Sequence, residues 1–286
     1  MRPASASRPC ILHILAALLA ALACCSVPAI ASAKTTDTLT VVTLNLWNDQ
    51  HDWPKRLGVI LVELRRIKPD VVCLQEVLQN PSLRNQAETL GDSLGCHVQF
   101  ASVDGPERPK RYGNAILAPH PVQVGESRNL SPTDDYRAVA HVRFEWRGRT
   151  IDAYSTHLHH TSEGGSIRAT QIHHLLAYVD STRGTGPVVL AGDFNCQLGS
   201  PELSLVSARY VDLFHAVHPK ATPAESATYN PLFGVDPGAI DHIFFEHKGA
   251  GRLTPLGCNV IFTRVGPDSV WASDHYGVVG KLGAGK

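Results

Sequence analysis

Val188-Val-Leu-Ala-Gly-Asp-Phe-Asn195 is the stretch on which the fold turns. Val188 to Ala191 is an unbroken apolar run of strand length and reads as a buried strand. Gly192 bends the chain where that strand ends. Asp193 and Asn195 follow two residues apart, so both can point into one cleft if the backbone stays extended there. Polar groups at the end of a buried strand are informative, because ligand sites in α/β proteins gather at strand ends.

Working outward, the same pattern recurs. Upstream, residues 166–182 carry Ile172, Leu175, Leu176 and Val179 on one helical face. Strands are expected at 114–118, 138–145 and 150–157, the last two joined by an Arg147-Gly148 hairpin turn. Farther upstream, Leu39-Thr-Val-Val-Thr-Leu-Asn-Leu46 and Val71-Val-Cys-Leu74 read as strands. Between them, Pro54 opens a helix over 54–67 with Leu57, Ile60, Leu61, Leu64 and Ile67 at helical spacing. A second helix is expected over 82–94. Downstream, 240–245 and 276–281 complete the set. Strands outnumber helices and helices cross between them, which predicts an α/β fold with two sheets covered by helices.

Five constellations carry chemistry. Asn45 interrupts an apolar strand, and its carbonyl oxygen suits either a hard cation or nearby backbone. Glu76 ends another. A carboxylate there is costly unless it meets a base or a cation, so it is a salt-bridge partner or a metal ligand. His157 closes the 150–157 strand and can donate a proton or hydrogen-bond a phosphate oxygen; the neighbouring His159 and His160 read as solvated loop residues, with metal ligation as the alternative. Asp193 and Asn195 form the fourth constellation. The fifth pairs Ile240-Asp241-His242 with Ser273-Asp274-His275. A histidine there needs an acid to hold its tautomer; Asp241 is the best candidate, and Asp274 is left to face a metal.

These residues lie in TLNLW (43–47), PDVVCLQEV (69–77), YGNAILA (112–118), STHL (155–158), GDFN (192–195), IDHIF (240–244) and SDHYGV (273–278). Seven such stretches in this order resemble the endonuclease/exonuclease/phosphatase superfamily, home of deoxyribonucleases, abasic-site endonucleases, neutral sphingomyelinases and inositol polyphosphate phosphatases. The resemblance implies a four-layer α/β sandwich: two mixed β-sheets packed face to face with helices outside. It implies a phosphoric ester hydrolase in which Asn45, Glu76 and Asp274 hold a divalent cation, usually Mg²⁺, with Mn²⁺ or Ca²⁺ as substitutes. It implies that His275, held by Asp241, acts as general base on water, that Asp193 and Asn195 orient water and phosphate, and that His157 stabilises the phosphorane or assists the leaving group. Some relatives have an acid that orients the residue matching His157; here Lys110-Arg111-Tyr112 supplies none. His242 stands where relatives often have Tyr and is read as structural.

Arg108, Lys110 and Arg111 precede the 114–118 strand and either meet phosphates or stay solvated. Arg111, Tyr112 and Asn114 are taken as substrate contacts. Relatives that attack lipid often carry an exposed aromatic hairpin. None is visible here, and Trp271 and Phe233 read as loop packing. A phosphodiester in nucleic acid is therefore the favoured substrate. A phospholipid head group, cleaved in the manner of a sphingomyelinase or phospholipase C, comes next, followed by an inositol phosphate. A scaffold with lost catalysis would have shed Glu76, Asp193, Asp241 or His275, and all are present.

The chain has 286 residues, with 26 basic and 26 acidic side chains. Arg2 and Arg8, an apolar run over 11–23 and the small residues ending at Ala33 read as a signal peptide. The run is short of the ~20 residues a membrane span needs. A lipid-anchored reading through Cys24 or Cys25 suffers from Ala21, where a large aliphatic residue is usual. Cleavage near Ala33 predicts a secreted or periplasmic, monomeric domain over 34–286 with no membrane span. Two basic residues leave with the signal, so 24 bases face 26 acids, a net charge of −2. Nothing in that balance announces a polyanion-binding protein, although a local basic strip would suffice. Of seven cysteines, Cys73, Cys96, Cys196 and Cys258 remain. Export permits disulfides, the absence of CxxC spacing argues against zinc, and Cys73, inside an apolar run, reads as a buried thiol.

Overall fold

The structure is a computed structural model that describes Met1 and residues 37–234, 238–249 and 252–285. The apolar leader and its expected cleavage point lie outside the described residues.

Two six-stranded sheets form among the described residues. The strands in chain order are β1 (Thr38–Asn45), β2 (Val71–Gln79), β3 (His97–Ser102), β4 (Arg111–Ala118), β5 (Val122–Asn129), β6 (Ala138–Trp146), β7 (Arg149–His157), β8 (Val188–Asp193), β9 (Val211–Asp212), β10 (Asp241–Phe245), β11 (Leu253–Ile261) and β12 (Gly277–Ala284). One sheet runs β11-β12-β1-β2-β4-β3 and the other β5-β6-β7-β8-β10-β9. Both are mixed: β1 lies parallel to β2, β7 lies parallel to β8, and the other neighbours are antiparallel.

Three hydrophobic layers hold the sandwich. Val41, Cys73 and Ile116 of one sheet meet Ala140, Phe144, Ala153 and Ala191 of the other in a central core. Outside the first sheet, helices α1 (Trp53–Ile67) and α2 (Gln86–Leu94) press Ile60, Leu64, Ala87 and Leu90 onto Val42, Leu44 and Leu74. Outside the second, α3 (Gly165–Thr182) presses Ile172, Leu175 and Val179 onto Tyr154 and Leu190. This is the expected four-layer arrangement. Each fully buried Leu, Ile or Val contributes roughly 1.5–3 kcal/mol relative to exposure, so the layers, rather than surface ion pairs worth about 0–1 kcal/mol each, fix the sheets.

The expected 82–94 helix starts later, at Gln86. The Asn85 side chain accepts from the N–H groups of Ala87 and Glu88 and caps it there, while Asn80 and Leu83 pair with each other in a short bridge. The Arg147-Gly148 turn is present, with φ of 51° and 74°. Two positive φ values are what a tight hairpin between right-twisted strands requires. The four cysteines are free, and Cys73 is a buried thiol. Among the described residues no helix is long and apolar enough to cross a membrane.

Gly192 has a steric reason to be glycine. Its φ is 149°, and a Cβ placed there would stand 2.0 Å from the Thr156 carbonyl oxygen on neighbouring β7. Gly192→Ala is expected to destabilise the protein by about 2–4 kcal/mol, combining backbone strain with overpacking between paired strands. Urea unfolding measures this, and an unchanged midpoint would contradict it.

Candidate active site

The two parallel strand pairs end at one place. In the first sheet Asn45 pairs in register with Gln75, next to Glu76. In the second, His157 pairs with Asp193, and Asp193 faces Asp241 on antiparallel β10. Because the sheets pack face to face, these ends converge, and Asn45 Nδ2 donates to Asp193 Oδ2 across the sandwich at 3.1 Å. A second polar link lies just beneath, where buried Gln75 donates to the Ser155 hydroxyl at 3.1 Å.

The loop before β12 brings the remaining groups. Ser273 donates to the Asn45 carbonyl at 2.7 Å and accepts from the His275 N–H at 3.1 Å. Arg56, buried on α1, donates to the carbonyls of Leu46, Trp47, Asn48 and Gln50 and to that of Ala272. It therefore ties the β1–α1 loop to the Ser273-Asp274-His275 stretch. Burial pulls its guanidinium down to about 10, still charged at neutral pH.

His275 Nδ1 and Asp241 Oδ2 are 2.9 Å apart, both side chains buried. That bond fixes the ring and leaves Nε2 facing Asp193 Oδ2 at 3.9 Å. Burial opposes charge on His275, but Asp241, and behind it Asp193 and Asp274, raise its pKa well above the ordinary value. Burial and the Asp241 charge push Asp193 upward as well. His157 behaves oppositely: burial first, and Arg137 second, hold it well below the ordinary value, so it is a neutral imidazole. Its Nε2 lies 3.4 Å from Asp193 Oδ2, so Asp193 stands where no acid was evident near Tyr112.

Glu76 adopts a φ of 53° at an irregularity in the β2–β4 pairing, which turns its carboxylate into the cleft. Its oxygens accept from the amides of Asn45 at 3.3 Å and Asn48 at 3.0 Å. Among the described residues neither Glu76 nor Asp274 makes an ion pair with a basic side chain. Burial, reinforced by the Glu76 charge, raises Asp274. Two carboxylates facing one cleft without a base are a donor set for a hard cation. Asp193, Asp241 and His275 also bring ligand atoms within 4.8 Å of one another. Two of those three already bond each other through His275 Nδ1 and Asp241 Oδ2, an arrangement suited to moving a proton.

The cleft encloses about 1010 Å³. Glu76, Tyr112, His157, Asp193, Asn195, Asp274 and His275 line it. Asn45 and Asp241 sit directly behind, bonded to Asp193 and His275. Two substrate assignments are corrected. Arg111 turns away, its guanidinium over the Phe100 ring at 4.9 Å. Asn114 is buried and donates to the Ala138 carbonyl at 2.7 Å. The solvated-loop reading fails for His159, which bonds Asp135 at 2.7 Å, and holds for His160, an exposed loop residue at the cleft beside Arg137. His242 is structural, held between Asp212 and the Cys196 carbonyl.

Arg137 was not anticipated. It lines the cleft, is 7% exposed, and has no hydrogen-bond partner on Nε. Its nearest carboxylate, Asp135, is 3.7 Å away. A signal existed: a charge immediately before the apolar strand β6, the same placement that singled out Asp241. Tyr229, whose ring meets that of His275 edge-on at 5.1 Å, had no such signal.

A four-layer sandwich with carboxylates, amides and imidazoles gathered at its strand ends is an arrangement suited to metal-assisted hydrolysis of phosphoric esters. Residues 42–275 match the endonuclease/exonuclease/phosphatase family, and the chain belongs to it. The chain is 28% identical over 185 residues to protein angel homolog 2 of Danio rerio, covering 56% of this chain and 31% of that protein. It thus spans about a third of that relative's length. It is 26% identical over 235 residues to the uncharacterized protein YbhP of Escherichia coli, covering 76% and 88% of the two chains. Among solved structures, a humanized D. rerio TDP2 superposes with a TM-score of 0.73 at 19% identity over 87% of this chain and 100% of its own. D. rerio TDP2 complexed with a single-strand DNA product gives 0.73 at 19% over 86% and 99%. These likenesses show the fold.

Proposed function

We propose that the protein is an exported, Mg²⁺-dependent phosphodiesterase that cleaves nucleic acid. The observation that carries the reading is the pairing of Glu76 and Asp274, which have no basic partner among the described residues, with a buried Asp241–His275 dyad across one cleft. The Arg2 and Arg8, apolar-run and Ala33 order supports export.

Glu76, Asp274 and Asn45 would hold the cation. When bound, the ion would supply electrostatic stabilisation of the phosphate oxygens. His275 Nε2 accepts the proton of a water, while Asp241 holds Nδ1–H and the resulting positive ring. Asp193, with its proton affinity raised, can return a proton to the leaving oxygen. Neutral His157 and the Arg137 guanidinium, which lines the cleft, face the negative charge that gathers on the phosphate. Support for nucleic acid over lipid comes from D. rerio TDP2, solved with single-strand DNA.

The test is a substrate panel with Mg²⁺ or EDTA: oligonucleotides, RNA, sphingomyelin, inositol phosphates and bis(p-nitrophenyl) phosphate. Nucleic acid cleavage that EDTA abolishes is expected. Phosphocholine release without nucleic acid cleavage would replace this reading with a lipid phosphodiesterase.

A further inference from the structure

We infer that a side depression next to the cleft binds the nucleotide adjoining the scissile phosphate, so that the substrate is single-stranded nucleic acid running over Tyr112 and Tyr136. The inference rests on the nuclease reading above.

The depression encloses about 350 Å³ and is lined by Asp104, Arg108, Pro109, Lys110, Tyr112 and Tyr136. Tyr112 and Tyr136 also line the catalytic cleft, so the two spaces are contiguous. The volume is at the low end of the roughly 300–1,000 Å³ of ligand sites, which suits one nucleotide and not a duplex.

Tyr136 is 61% exposed, the only aromatic among the exposed large apolar residues described. It closes the turn Thr133–Asp135 with a φ of 55°, a strained conformation for a bulky side chain. Its neighbours are anchored: Asp135 accepts from Gln171 and bonds His159, and Arg137 is buried. The chain thus holds an aromatic face out beside the site instead of packing it. Bases stack on such a face whatever their sequence, and an unpaired base offers its own face to it.

The charges agree. Arg108 and Lys110 are exposed, and neither pairs with a carboxylate among the described residues. Asp104, the one acid in the wall, is occupied by the Tyr112 N–H at 3.1 Å and the Ser102 hydroxyl at 3.3 Å. Two free cations beside an open aromatic suit the next phosphate and its base. A depression walled by two tyrosines, a proline and two exposed cations matches the base and phosphate of one nucleotide.

Tyr136→Ala and the double variant Arg108→Gln, Lys110→Gln test this. The readout is kcat/KM on a single-stranded oligonucleotide divided by kcat/KM on bis(p-nitrophenyl) phosphate, which is too small to fill the depression. Each variant is expected to lower that ratio about tenfold or more, through KM on the oligonucleotide. An unchanged ratio, with the wild type cutting the oligonucleotide, overturns the subsite and leaves the nuclease reading standing. Wild-type cleavage of the small diester without any oligonucleotide cleavage overturns both. A loss confined to phospholipid vesicles assigns the depression to lipid and overturns the inference.

Discussion

His275→Gln is expected to lower kcat on bis(p-nitrophenyl) phosphate by two to four orders of magnitude, with KM changed little. Glutamine fills much of the imidazole volume but cannot take up a proton at neutral pH, and general-base catalysis is typically worth 10²–10⁴-fold. The dyad makes a second variant informative. Asp241 Oδ2 accepts from His275 Nδ1 at 2.9 Å. Asp241→Asn keeps the shape but offers an amide, which favours the tautomer with its proton on Nε2, the nitrogen that must accept the water proton. Its loss should approach that of His275→Gln, and the double variant should be little worse than either, because the residues act as a unit. Circular dichroism controls for folding. Activity within tenfold of wild type in folded His275→Gln would remove His275 from the base role.

These residues were legible from sequence for a definite reason. Asn45, His157, Asp193 and Asp241 each end or begin a strand buried within its sheet, Glu76 sits inside β2 at its irregular pairing, and a polar group interrupting an apolar run stands out. Strand expectations failed in one pattern. The four strands not foreseen, β3, β5, β9 and β11, are the four sheet edges. An edge strand has one neighbour and much exposure, so its sequence carries little apolar periodicity. β5 reads Val-Gln-Val-Gly-Glu-Ser-Arg-Asn and is largely exposed, and β11 contains Pro255 at an irregular pairing. The substrate residues were misassigned for a related reason. Arg111 and Tyr112 are consecutive in a strand and so face opposite sides; Tyr112 reaches the cleft and Arg111 cannot. Asn114 shares the Tyr112 face but lies deeper, where it meets the second sheet. Arg56 was hidden differently: its helix is amphipathic by its leucines and isoleucines, and only the three-dimensional loop shows five carbonyls converging on one guanidinium.

Glu76→Ala should have the other large effect, and its sign on stability separates a metal ligand from a structural acid. If Glu76 were there to hold the fold, its removal would lower the melting temperature with or without metal. Its partners are the neutral amides of Asn45 and Asn48, and its charge raises the pKa of half-buried Asp274. Without a cation, therefore, the carboxylate is a source of repulsion, and alanine relieves it; the strain of a φ of 53° remains in both forms. In EDTA, Glu76→Ala is expected to melt within a few degrees of wild type. In Mg²⁺ or Mn²⁺ the wild type should gain stability as RT ln(1 + [L]/Kd), about 2.7 kcal/mol at a hundredfold excess over Kd, and the variant should gain far less. Activity at millimolar Mg²⁺ should fall at least a thousandfold. Equal metal-induced stabilisation of the two proteins, or wild-type activity undiminished by EDTA, would take the cation away from Glu76. Charge repulsion retained at an irregular point of a central strand makes physical sense only if an ion arrives to relieve it.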